Sequence, residues 1–87
     1  MATKKGPTVL NCAIVREKVN SSNIRSIGYN DDFNTLEVEF WSSGAIWRYW
    51  PIEHSEYNSL MKADSVGSHF AKEIKNKKDL RSQQVNT

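Results

Sequence analysis

Residues 35–41, TLEVEFW, alternate with a period of two: Leu36, Val38 and Phe40 fall on one side, Glu37, Glu39 and Trp41 on the other. Successive side chains of an extended chain point to opposite faces, so this run reads as an antiparallel strand with one face buried and one polar. Its flanks agree. DDFN (31–34) precedes it, and Asp and Asn side chains bond their own backbone in turns. SSG (42–44) follows, where Gly44 can take a positive φ in a tight turn. NIRSIGYN (23–30) and AIWRYW (45–50) are β-rich runs on either side, which makes a three-stranded meander.

After Pro51 the period changes. In EHSEYNSLMKA (53–63), Tyr57, Leu60 and Met61 stand at i, i+3 and i+4, with acids in the first turn. In DSVGSHFAKEIKNKK (64–78), Val66, Phe70 and Ile74 recur every four residues behind an Asp64 or Ser65 cap. The expected class is α+β: a three- to four-stranded antiparallel β-meander packed on one face by two short C-terminal helices. Residues 1–18 read as a partly disordered N-terminal extension whose second half is a possible edge strand. Residues 19–78 form the domain, and 79–87 a flexible polar tail. An 87-residue chain allows one domain, which buries only about 60% of its unfolded surface. Large rings compensate for the thin core.

Several functions find no support. No apolar run approaches the roughly 20 residues of a membrane span. The lone Cys12 cannot form an internal disulfide, and no leader pattern precedes the domain, so a soluble cytoplasmic protein is expected. No C-x-x-C or H-x₃-H element supports a metal site, and no cofactor is expected. Ser21-Ser22-Asn23 reads as local capping of the first strand. A serine nucleophile needs a base and an orienting acid, and neither His54 nor His69 stands at such a spacing. No catalytic residue is assigned, and the chain is not expected to be an enzyme.

The aromatic strand GAIWRYWPI (44–52) carries the binding chemistry. Trp47 and Tyr49 share one face and are expected beneath the helices. Trp41 and Trp50 are expected on the other, beside Arg25 and Arg48. Exposed Trp next to Arg suits base stacking, and equally the anchor of a protein interface. Glu37 and Glu39 share that face, and either repel phosphates or pair with Arg25 and Arg48. Between residues 19 and 64 three basic residues face seven acidic ones; the excess base lies at the ends. The first expectation is therefore RNA or other nucleic acid, stacked on Trp41 and Trp50, with Arg25, Arg48, Lys72, Lys75 and Lys78 toward phosphates. The alternative is a protein partner.

From Val19 to Lys77 the chain resembles the KTSC domain, a family named for an extension at the C-terminus of some lysyl-tRNA synthetases and found also as free-standing bacterial and phage proteins. The landmarks are Ser21-Ser22-Asn23-Ile24, Ile27-Gly28-Tyr29, Leu36/Val38/Phe40, Gly44, Trp47-x-Tyr49, and Ala63-x-Ser65-x-Gly67-x-x-Phe70 with Ile74. Two positions depart from the family pattern. Trp47 stands where the family usually has Tyr, and Glu53 where it tends to have Pro, with Pro51 two residues earlier. The resemblance implies no established activity; RNA binding is suggested by the association with a tRNA synthetase.

Overall fold

The computed structural model describes residues 13–85. Five antiparallel strands form one sheet in chain order: β1 (Arg16–Lys18), β2 (Ile24–Asn30), β3 (Thr35–Phe40), β4 (Ile46–Trp50) and β5 (Arg81–Val85). Between β4 and β5 lie α1 (His54–Lys62) and α2 (Val66–His69), which runs directly into a π-helical segment, Phe70–Ile74. The class is α+β, as the pattern implies, but the strand count is five rather than three to four.

Both additional strands come from polar ends. β1 lies in the second half of the run read as a possible edge strand. β5 lies in the segment read as a flexible tail. RSQQV has no apolar alternation because both of its faces are largely exposed. What places it is the backbone ladder to β4, with Arg81 opposite Trp50 and Gln83 opposite Arg48. The stretch 64–78 is not one α-helix either. Lys75 N–H donates to Phe70 O at 3.0 Å, an i to i+5 bond, and the wider turn still buries Val66, Phe70 and Ile74.

The turns follow their chemistry. Asn30 Oδ1 accepts from Phe33 N–H at 3.1 Å, Asn34 sits at φ 50°, and Gly44 at φ 70°. Glu53 and Glu56 form a capping box at the start of α1, in which Glu53 N–H donates to Glu56 Oε1 at 2.7 Å.

The core lies between one sheet face and the helices. Ile24, Ile27, Leu36, Val38 and Tyr49 meet Ile52, Leu60, Val66, Phe70 and Ile74. Tyr49 meets Phe70 edge-on at 5.3 Å, within the range where aromatic pairs add attraction beyond their area. Tyr29 stacks on Tyr57 at 4.9 Å and donates its hydroxyl to Ile52 O at 2.6 Å. Trp47 packs against the edge of this core, half-buried, as its face requires.

On the opposite face the chain crosses itself at Gly28. A Cβ built there would lie 2.5 Å from Val15 O and 2.7 Å from Ile14 Cγ2. Only a residue without a side chain lets the segment leading into β1 lie this close. Gly28→Ala is therefore expected to push this segment off the sheet and cost about 1–3 kcal/mol, the usual range for overpacking. Urea unfolding measures the loss, and faster amide exchange at 16–18 locates it.

Two tyrosines, Tyr49 buried and Tyr29 half-buried, set an alkaline limit. Burial, followed by the Glu53, Asp31 and Glu56 carboxylates, pushes Tyr29 up to about 12; burial alone does the same for Tyr49. The neutral phenol is favoured in the folded state, so this contribution is complete below about pH 10, the ordinary tyrosine value, and is lost as pH rises toward 12. Denaturant midpoints should fall across that window, with tyrosinate absorbance in the native state lagging the unfolded state. Coincident native and unfolded titrations would refute the assignment.

Candidate functional site

The sheet face away from the helices is built on charge. Cross-strand register lines up Arg16, Gly28, Glu37, Arg48 and Gln83 in one row across all five strands. Glu37 and Arg48 are each almost wholly buried, at 3% and 4% exposure. Arg48 Nε donates to Glu37 Oε1 at 2.7 Å, and Arg16 Nη1 bonds the other carboxylate oxygen. One carboxylate thus ties β1 to β4 through β3. The next row carries Lys18, Ser26 and Glu39. Arg16 Nε donates to Ser26 Oγ at 3.0 Å, and Ser26 Oγ donates to Glu39 Oε1 at 2.8 Å. Arg25 Nη1 stands 4.0 Å from Glu39 Oε2.

Arg25 occupies an extra position in β2, where the register slips between Ile24 and Ser26. Such a bulge re-aims a side chain. Here it carries the guanidinium over the ring of Trp41, 5.0 Å from its centroid. Trp41 is half-exposed, at 53%, yet it is fixed: its indole Nε1 donates to Ser21 O at 3.1 Å and its backbone N–H to Asn23 O at 3.0 Å. Ser21 Oγ in turn accepts from Asn23 and Ile24 N–H, both at 3.2 Å, which is the local capping expected of this serine. The Ser21–Asn23 loop thereby holds the exposed indole in place.

The seven residues read as a site from the sequence divide into four sets. Arg25 and Trp41 come together on the face away from the helices. Arg48 shares that face but is buried against Glu37, the pairing that the sequence reading left open, so it is not turned outward toward phosphates as its place in the expected site requires. Trp50 is half-buried and lies opposite Arg81, at the far end of the strand from Trp41. Lys72 and Lys75 sit on the helical layer, on the other side of the sheet, and Lys78 in the turn that leads into β5. Lys75 lies over the core-facing Tyr49 ring at 5.6 Å, and Lys72 stands among Asp64, His69 and Glu73. The lysines and the indole at 41 therefore do not form one surface.

Arg16 and Lys18 were not read as site residues from the sequence. Both lie in the run taken as an extension, and nothing in REK shows which way each side chain points. The usable signal was the like pairing of alternating Glu37 and Glu39 with a need for cations in the neighbouring strands. Among the described residues no three His, Cys, Asp or Glu come together to hold a metal, and Cys12 lies outside them. Nor, among them, is any helix long and apolar enough to cross a membrane.

The five-stranded order, the Gly28 crossing and the serine-held tryptophan can be set beside known proteins. The KTSC domain model matches residues 20–77. This chain belongs to the KTSC domain family. A protein of Stutzerimonas stutzeri, itself uncharacterised, is 46% identical over 55 residues, 63% of this chain and 76% of that protein. The crystal structure of a KTSC domain protein from Yersinia pestis superposes with a TM-score of 0.77 at 31% identity, covering 85% of this chain and all of the other. The family match contains Arg25, Glu37, Glu39, Trp41 and Arg48, whereas β1 and β5 lie outside it.

Glu37 faces two guanidinium groups in a buried position, so its removal leaves two charges without their shared partner. Glu37→Ala is expected to cost about 3–5 kcal/mol, the range for breaking a buried ion pair on one side. Replacing Glu37 and Arg48 together with Leu and Met should cost markedly less. Urea midpoints for the two variants provide the check; equal losses would show that the carboxylate is not the clamp.

Proposed function

We propose that this KTSC domain is a small non-enzymatic binding module that takes single-stranded RNA on the sheet face away from the helices. The supporting observation is the rigid, half-exposed Trp41 with Arg25 beside it. A tryptophan already held by one indole and one backbone hydrogen bond loses little freedom when a base stacks on it, and such stacking contributes about 1–3 kcal/mol per base. The sequence left one objection, the acids on this face. Glu37 is taken up by Arg48 and Arg16, and Glu39 by Ser26 and Arg16, so they are compensated rather than presented to phosphates. The basic helix plays no part in this site.

Fluorescence anisotropy with short single-stranded oligonucleotides at low salt tests the proposal. Trp41→Ala should weaken binding about five- to hundredfold, and affinity should fall with salt as phosphate contacts are screened. Affinity no tighter than tens of micromolar, or indifferent to salt, would end it.

A protein partner is the second reading, favoured by the separation of the lysines from Trp41. A Trp–Arg pair without a large basic surround suits an interface anchor. Recovery of a partner protein that is lost with Trp41→Ala, together with no RNA affinity, would select it.

A further inference from the structure

Beside Arg25 the sheet face dips into an open depression of about 390 Å³, lined by Ile14, Arg16, Lys18, Arg25, Ser26 and Glu39. Three cations face one carboxylate there. The cations are not equivalent. Arg16 is held by Glu37 and Ser26, and its position is set before any ligand arrives. Lys18 is exposed and makes no ion pair with the described residues, while Arg25 reaches Glu39 only at 4.0 Å and is about half-exposed. The floor is partly apolar, because Ile14 is buried against Gly28. Arg25 forms a wall of the depression and also covers Trp41, so the two features adjoin.

We infer that this depression is a phosphate subsite, in which Lys18 and Arg25 grip one phosphate of the nucleotide whose base stacks on Trp41. The inference rests on the RNA-binding reading above and narrows it to a unit of one base and its adjacent phosphate. Lys18 supplies a flexible ammonium. Arg25 supplies a planar fork that bonds phosphate oxygens in pairs. Glu39 lines the same depression 4.0 Å from Arg25, where it orients the guanidinium and disfavours a second anion. The same chemistry accepts a phosphodiester within a chain or a phosphomonoester at its 5′ end.

Lys18→Glu tests this, because the side chain is exposed and its exchange leaves the core untouched. With short oligouridine, the variant should bind at least about fivefold more weakly, and its salt slope should flatten by about 0.7, the value for one single-strand phosphate contact. Oligouridine with a 5′-phosphate and with a 5′-hydroxyl separates the two sources: tighter binding of the first places the terminal group in the depression, and equal binding places a backbone phosphate there. An unchanged affinity and slope in Lys18→Glu, with binding still lost in Trp41→Ala, overturns the subsite and leaves the stacking reading standing. If oligouridine does not bind at all, the stacking reading fails. Amide shifts on titrating uridine monophosphate into the unaltered protein then decide the subsite alone: shifts confined to Arg16, Lys18 and Arg25 and absent with uridine sustain it, and silence there overturns it.

Discussion

A single carboxylate holds the unhelical side of this sheet together. Glu37 lies at the centre of the middle strand, faces away from the apolar core, and is buried all the same. Removing a carboxylate from water is costly unless charge and hydrogen bonds replace the lost hydration. Arg48 and Arg16 replace it from opposite sides. The consequence reaches beyond energy. Arg16 is the first residue of β1, a strand only three residues long, and its fork bonds both Glu37 and Ser26. A strand that short has too little ladder to hold itself in register, so side-chain bonds fix it.

The same network sets the character of the surface around it. Because Glu37 and Glu39 are occupied, the positive charge of Lys18 and Arg25 is left facing outward. Because Arg25 stands on a bulge, it leaves the row of paired charges and reaches the indole of Trp41. The Ser21–Asn23 loop completes the arrangement from the other side. A buried ion cluster, a bulge and a capped loop therefore converge on one corner of the molecule. The lysines of the helical layer are organised separately; Lys77 is paired with Glu56 at 2.9 Å and helps fasten the end of the helical segment to α1.

The parts of the fold that were legible in the sequence are those in which burial is one-sided. Leu36, Val38 and Phe40 mark the core face because water lies in reach of the alternate positions, and Tyr57, Leu60 and Met61 mark a helix for the same reason. β5 was illegible because Ser82, Gln83 and Gln84 are exposed in turn and leave no period to read. At the site, alternation showed correctly that Trp41, Arg48 and Trp50 point away from the helices. It could not show depth. A period of two assigns a face, and Arg48 is buried on its face by pairing, a long-range outcome of register. Arg25 was placed rightly beside Trp41, though the bulge that brings it there has no local signature in NIRSIG.

Open sheets have two rims, and each rim is a row of backbone donors and acceptors that another chain can join. Among the described residues one rim is a three-residue strand and the other is RSQQV, whose exposed side chains include a guanidinium and two amides but no large apolar group. Short and polar rims are poor templates for stacking copies of the chain into fibres. The terminal strand thus replaces the edge of β4, which carries Trp47 and Trp50 on its two faces, with a polar edge less suited to self-association.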